Sequence, residues 1–247
     1  MPWLHAVIDV PDDQSAAAAT FWGSALGWPL GQAWPGHPEL RSFEPLDGTA
    51  YVHLQTIDGP PRVHLDLEVP DPTSAVAAAV GLGATHVASS DRWQTMRSPG
   101  GLPFCLVRAG EQAIPEPLPW PDGHRSRLVQ VCVDSPRAVH DDELAFWRAL
   151  LAGRWANSTA REFTGKWHDD HSPLQLLFQR LDEADGPVRA HLDHGTDDRE
   201  AEVRRLVELG ADPGEVGRGW QVLRDPAGLT FCVTDNSPST QVPRDIG

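Results

Sequence analysis

Little in this chain of 247 residues is built for crosslinking or for binding charged polymers. Its three cysteines, Cys105, Cys132 and Cys232, each lie inside an apolar, strand-like run, which excludes a disulfide-dense framework and points to reduced, buried thiols. Basic residues are also scarce. The 20 Lys+Arg face 35 Asp+Glu for a formal charge of −15, a field that repels phosphate backbones and anionic lipid heads. Neither nucleic acid nor a membrane is therefore an expected partner, and a small organic molecule is. The opening MPWLHAVIDV has no basic segment and no long apolar run, so neither a signal peptide nor a transmembrane helix is expected, and the cytoplasm follows by default. Also missing are a GxSxG elbow, a GxGxxG or P-loop phosphate cradle and a CxxC pair. The chemistry left open is acid–base or metal-assisted.

What is present is a duplication. Phe21-Trp22 matches Phe146-Trp147 at an offset of 125, and Gly83-Ala84 matches Gly210-Ala211 at an offset of 127. WQTMRSPGGLPFCLV (93–107) faces WQVLRDPAGLTFCVT (220–234), and RVHLDLEV (62–69) faces RAHLDHGT (189–196). The predicted organisation is a first domain over 1–110, a linker over 111–124, a second domain over 125–236 and a tail over 237–247. The linker carries Pro115, Pro117, Pro119 and Pro121 at alternate positions, which predicts an extended, stiff, unpaired backbone. Apolar residues make up 40% of the chain, enough for packed cores in a soluble, globular protein.

Each copy reads as strand, helix, several strands, then the same again, hence two β-α-β-β-β halves. LHAVIDV alternates as a strand; Asp12/Asp13 cap a helix through Leu26, and Gly27 ends it. Asp141/Asp142 start the matching helix of copy two. AYVHLQT and RVHLDLEV read as strands, a helix runs from about Thr73 to Leu82, and SPGG turns a late hairpin. Alternation in RVHLDLEV sends Leu65, Leu67 and Val69 to one face and His64, Asp66 and Glu68 to the other.

The paired halves, the HLDLEV strand and the closing strand after a Pro-x-Gly turn resemble the vicinal oxygen chelate superfamily, which includes glyoxalase I, bleomycin-resistance proteins and extradiol dioxygenases. The nearest resemblance is to its glyoxalase-like domain branch, over nearly all of 3–108 and 127–234. It implies an α+β fold of two tandem domains, each with strands curled into a cup and helices on the convex side. It also implies up to four metal-ligand positions per cup. In copy one they fall on His5, His53, His64 and Cys105; in copy two on Gln130, Leu177, His191 and Cys232. The family's metal enzymes usually have Glu at the last position. Exchange of halves between copies would instead join His5 and His53 to His191 and Cys232.

Two functions from different classes follow. One is a small-molecule-binding protein with a tryptophan-rich cup, in which Trp3, Trp34, Trp93, Trp167 and Trp220 contact an aromatic ligand and Asp66, Glu68 and Asp193 favour a cationic one. It needs no cofactor. The other is a glyoxalase-type lyase or a dioxygenase with one divalent ion (Zn²⁺, Ni²⁺ or Fe²⁺) at His5, His53 and His64 or His191, and Glu68 or Asp66 as general base. Plainer readings stand beside both: Cys105 and Cys232 as small buried hydrophobes, His64 and His191 as histidines bonded across the sheet, most tryptophans as core. WHDDH (167–171) reads as a solvated hairpin turn rather than a metal clip. The loops GQAWPGHPEL and ANSTAREFTGKWHDDH are expected to set ligand selectivity. The second copy is expected to complete an internal pseudo-dimer, giving a monomer whose function sits in the cup holding His5 and His53.

Overall fold

The computed structural model describes residues 3–157 and 162–239. Residues 158–161 of the second selectivity loop, and the tail from 240 onward, lie outside the described residues. Copy one runs β1 (Leu4–Val10), α1 (Asp12–Leu26), β2 (Leu30–Trp34), β3 (His37–Phe43), β4 (Val52–Thr56), β5 (Arg62–Val69), α2 (Pro72–Gly81), β6 (Thr85–Ser89), β7 (Trp93–Arg97) and β8 (Pro103–Arg108). After β9 (Leu118–Pro119), copy two runs β10 (Arg125–Ser135), α3 (His140–Leu150), β11 (Arg154–Ala156), β12 (Phe163–His168), β13 (Gln175–Arg180), β14 (Arg189–Thr196), α4 (Arg199–Glu208), β15 (Asp212–Gly217), β16 (Trp220–Arg224) and β17 (Thr230–Thr234).

Each copy makes its own sheet, in the order β2-β3-β4-β1-β5-β8-β7-β6 and its equivalent β11-β12-β13-β10-β14-β17-β16-β15. The halves thus pair within copies, and His64, not His191, shares a cup with His5 and His53. Every residue of β1 is buried although its sequence alternates. Both faces of the strand are covered, one by core and the other by the side chains that fill the cup.

The helices lie close to where the sequence places them, but α1 and α3 start without a side-chain cap, α3 at Val139 with Asp141 and Asp142 in its first turn. Asp12 and Asp13 lie in the first turn of α1, where they complement the helix dipole, but the N-cap is Pro11 with no side-chain cap. In α2 and α4, Asp71 and Asp198 accept from the N–H groups of Thr73 and Ala201. The linker also differs from its expected form: β9 pairs with β10 through Pro119–Arg125 and Leu118–Ser126. Proline alternation removes donors only at every second residue, and the intervening Leu118 is free to pair.

A single core spans both copies. Helix α1 packs on β1 and β4 of its own sheet and also on the last strand of copy two, where Phe21 and Trp22 meet Phe231 at ring distances of 5.7 and 5.2 Å. In return Phe146 and Trp147 of α3 meet Phe104 of copy one at 5.8 and 5.3 Å. Each tryptophan also hydrogen-bonds at this interface. Trp22 Nε1 donates to Asp225 Oδ2 in the DPAG turn at 2.7 Å. Trp147 Nε1 donates to Glu143 Oε1 at 2.7 Å, and Glu143 Oε2 accepts from Gly100 N in the SPGG turn at 2.8 Å. A Cβ on Gly100 would lie 2.3 Å from Val188 Cγ2, so this approach admits only glycine. Beside α1, buried Glu202 accepts from Arg205, whose guanidinium also donates to the carbonyls of Ser24 and Ala25 and lies 3.5 Å from the Trp120 ring centroid.

Two outcomes follow. Trp22→Phe keeps the ring packing but strips a donor from buried Asp225, and should cost roughly 1–3 kcal/mol in urea denaturation; an unchanged midpoint would show that the bond contributes nothing. Burial opposes the charge on Glu202, but the hydrogen bonds from Arg205 and the charges of Arg205 and of His194, whose Nδ1 lies 3.5 Å away, outweigh it and hold the carboxyl well below its ordinary range. A depressed carboxyl contributes stability above its unfolded value of 4.5 that is lost as pH falls toward the folded value. Denaturation midpoints on the acid side of that value should therefore fall more steeply for the wild type than for Glu202→Gln, and parallel slopes would rule this linkage out.

Candidate functional site

The register places equivalent residues in the two cups. His5 lies opposite Asp66 and Val7 opposite His64, while Asp66 pairs with Cys105. In copy two Gln130 lies opposite Asp193 and Cys132 opposite His191, while Asp193 pairs with Cys232. His53 and Leu177 are equivalent, being the partners of Val7 and Cys132.

Both cups contain a histidine held between two carboxylates. His64 Nδ1 lies 3.0 Å from Asp9 Oδ2, and its Nε2 lies 3.4 Å from Asp66 Oδ1. His191 Nδ1 lies 2.6 Å from Asp134 Oδ2, and its Nε2 lies 3.4 Å from Asp193 Oδ1. Burial disfavours the charged ring in each case, but the facing carboxylates outweigh it and raise both histidines well above their ordinary pKa. The cross-sheet reading of these histidines is thus what the structure shows. Asp9 and Asp134 did not figure among the candidate residues; their signal is the repeat itself, which aligns HAVIDV (5–10) with QVCVDS (130–135).

Around this shared element the cups diverge. In cup one the polar groups satisfy one another in a chain. Trp34 Nε1 donates to Ser42 Oγ at 3.0 Å, and Ser42 Oγ lies 2.9 Å from His53 Nδ1. His53 Nε2 lies 3.0 Å from His5 Nδ1, and His5 Nε2 lies 3.2 Å from Glu68 Oε1. Burial, reinforced by His5, lowers His53 to about 3, so it is neutral and can donate from one nitrogen only. With Glu68 accepting, every bond is met if Ser42 donates to His53, His53 to His5 and His5 to Glu68. Glu68 also accepts from Gln112 and Gly110 N at the start of the linker. The rim is clasped: His37 stacks on Trp93 at 4.5 Å, and its Nε2 lies 3.7 Å from Asp91.

Cup two instead opens on a cavity of about 1030 Å³. Trp220, Val222, Phe163 and Leu177 supply apolar wall, and Gln130, Lys166, His191, Asp193 and Cys232 line its polar part. Arg62, Arg97 and Leu102 of copy one close one side. Its rim and floor carry Arg62, Arg97, Lys166, Arg189 and Arg218 against Asp134, Asp193, Glu215 and Asp235, so the acidic wall expected to select a cation is matched by bases. The equivalents of Ser42 and His53 here are Lys166 and Leu177, which pair across β12 and β13. Leu177 offers no polar atom. Gln130 Nε2 donates to Asp193 Oδ2, yet Gln130 Oε1, Lys166 Nζ and Asp193 Oδ1 are buried without a hydrogen-bond partner. Burial lowers the Lys166 amine to about 8, against the opposing pull of Asp193. Lys166 also went unnoticed in the sequence, although composition marks it: it is the only lysine in the chain.

The tryptophans separate into core and cup. Trp167 is fully buried and donates to Ala152 O, and Trp3 is 1% exposed with its ring against His5, so both pack rather than present a stacking face. Trp34 stacks edge-on with His53 in cup one, and Trp220 reaches the cavity of cup two. WHDDH is not a solvated turn throughout: Trp167 and His168 end β12, Asp169 is buried, and only Asp170 and His171 are exposed. The alternation of β12, which sends Trp167 to the core, is what turns Lys166 into the cup.

A divalent ion fits part of this arrangement. Ligand-capable atoms of His64, Asp66 and Cys105 lie within 4.8 Å of one another, as do those of His191, Asp193 and Cys232, and those of Cys132, Asp134 and His191. Asp66 Oδ1 is buried without a hydrogen bond, and Asp9 backs the far nitrogen of His64 as a carboxylate does behind a ligating histidine. His5 and His53 fall outside this group, bonded to each other. In cup two the Lys166 amine bears on Asp193 and competes with a cation.

Two sheets of paired β-α-β-β-β halves, each curled round a His-Asp-Cys group, define the vicinal oxygen chelate architecture. The glyoxalase-like domain family matches residues 5–107 and 130–234, and the chain belongs to that family. No curated protein matches it. Among solved structures it is similar to the Mn(II)-bound glyoxalase from Novosphingobium aromaticivorans, with 17% identity over 98% of this chain and 85% of that one and a TM-score of 0.66. It is also similar to a mutant 4-hydroxymandelate synthase from Streptomyces coelicolor (16% identity, 96% and 93% covered, TM-score 0.59). A third is 2,2',3-trihydroxybiphenyl 1,2-dioxygenase from Sphingomonas wittichii (13% identity, 97% and 98% covered, TM-score 0.58). These likenesses are of fold. No helix among the described residues is long and apolar enough to cross a membrane.

Proposed function

We propose that the chain binds a small organic molecule in cup two. The observation that carries this reading is the cavity of about 1030 Å³, whose apolar wall meets buried polar atoms lacking partners. Pockets for small ligands have this size and this composition, and orphaned polar atoms there are satisfied by what enters. Trp220 supplies a flat face for an aromatic ring. Calorimetric titration with neutral, anionic and cationic aromatic compounds should give saturable binding. Val222→Trp, which fills the cavity from the wall, should weaken it by roughly tenfold or more, or about 1.4 kcal/mol. No binding across the panel, or binding indifferent to this substitution, would remove cup two as the site.

A second reading is favoured by the buried, unbonded Asp66 Oδ1 beside His64 and Cys105. In it, cup one supports a metal-dependent activity of the lyase or dioxygenase type. His64, Asp66 and Cys105 would hold a Zn²⁺, Ni²⁺ or Fe²⁺ ion, which when bound supplies Lewis-acid polarisation of a substrate oxygen. Metal content measured after equilibration with each ion should approach one equivalent in the wild type, vanish in His64→Ala and persist in His191→Ala. A wild type that retains no ion excludes this reading.

A further inference from the structure

The chain's 20 basic residues comprise 19 arginines and one lysine. That lysine, Lys166, is 2% exposed, lines the cavity of cup two, and has no hydrogen-bond partner at Nζ. A buried ammonium without a bonded counter-ion costs several kcal/mol, so a lysine serving only to pack would be better replaced by an apolar side chain of similar length. Had its task been to clasp a carboxylate, arginine, used at all 19 other positions, offers a planar bidentate fork. What the amine can do and a guanidinium cannot is shed its proton and present a lone pair. The groups that bear on its charge are Asp193 on β14 and Cys132 on β10, with His168 two residues along its own strand. None is bonded to Nζ, and burial is the dominant influence, favouring the neutral amine.

We propose that Lys166 is a carbonyl-capturing amine, and that the ligand of cup two is an aldehyde or ketone that condenses with Nζ to form an imine. The proposal rests on the reading of cup two as a ligand site and names the class of ligand. The Nζ lone pair adds to the carbonyl carbon, and the C=O π pair moves to oxygen, which takes a proton. The nitrogen gives up one proton, leaving a neutral carbinolamine. A second proton reaches the hydroxyl, the C–O bond breaks to release water, and the nitrogen lone pair closes the C=N bond as a protonated imine. The sum is carbonyl plus ammonium giving iminium plus water, with no oxidant or reductant. Asp193 lines the same cavity and bears on the charge at Nζ, and both protons exchange with solvent through the open mouth of the cavity.

The test is reductive trapping of the full chain with benzaldehyde and cyanoborohydride across a pH series, read by intact mass and peptide mapping. A lysine at about 8 has a neutral fraction at pH 7 roughly two orders of magnitude above that of an ordinary lysine, partly offset by lower nucleophilicity. Benzylation at Lys166 should therefore be roughly tenfold faster in the folded chain than at the same residue in the urea-unfolded chain. Its rate should level off near pH 8, and the site should stay unmodified in Lys166→Arg. Slower labelling in the folded than in the unfolded chain, or labelling of the terminal amine alone, overturns the proposal. Benzyl alcohol, which cannot form an imine, separates the two levels of the inference. If it saturates the cavity while Lys166 resists benzylation, only the imine falls; if neither occurs, the ligand site in cup two falls with it.

Discussion

The structure depends on one reciprocal contact: each copy's first helix seals the last strand of the other. Phe21 and Trp22 close over Phe231, and Phe146 and Trp147 close over Phe104, so neither copy's apolar face is buried by its own residues alone. Burial of an aromatic side chain contributes about 1.5–3 kcal/mol, and four such rings straddle the boundary between copies. The indole donors fix the register of this packing. Trp22 finds an acid already in the DPAG turn, at Asp225. The matching turn of copy one has Ser98 at that position, and α3 supplies the missing carboxylate as Glu143. The two halves of the interface reach the same satisfied state by different residues.

A scaffold locked from its convex side leaves the concave faces free to diverge, and one paired substitution accounts for most of the divergence. Where copy one has Ser42 and His53, copy two has Lys166 and Leu177. Serine and histidine can each donate and accept, so in cup one they extend a chain from Trp34 to Glu68 that leaves its members partnered. Lysine only donates and leucine does neither, so the same positions in cup two end the chain at a bare amine. The linker reinforces the contrast by sending Gln112 and Gly110 onto Glu68.

Much of this was legible in the sequence. The offsets of 125 and 127 gave the duplication, Gly27 marked the end of the first helix, and strand alternation put His64, Asp66 and Glu68 on one face. The difference between the two cups was not legible, because ligand type alone does not say whether a histidine is free. His5 and His53 occupy metal-ligand positions, yet the distance that decides their state is the 3.0 Å between them, a tertiary quantity. Trp167 and Lys166 are neighbours with opposite fates, and only the register of β12 against β13 assigns one to the core and the other to the cavity. Pattern counting favours clusters, whereas the informative feature here was a residue type used once.

The element kept by both cups bears on what the cavity receives. Asp9–His64–Asp66 recurs as Asp134–His191–Asp193 even though copy two has lost polar atoms elsewhere. Each triad sets two carboxylates against one histidine, and the outer carboxylate also has an arginine beside it: Arg62 Nε donates to Asp9 Oδ2 at 2.8 Å, and Arg189 and Asp134 bear on each other's charge. In cup one Asp66 Oδ1 is buried beside Cys105 with His64 Nε2 at 3.4 Å but no hydrogen bond, and no lysine or arginine is among the groups that perturb this carboxylate, which leaves the oxygen open to a ligand. In cup two the protonated Lys166 amine offsets Asp193, and the rest of the cavity lining carries groups of both signs. An uncharged molecule therefore meets no strong excess of either sign in cup two, whereas a cation competes with the lysine and an anion with Asp193. Charge balance thus favours an uncharged ligand, and the unpaired amine narrows that class to one with a carbonyl to capture.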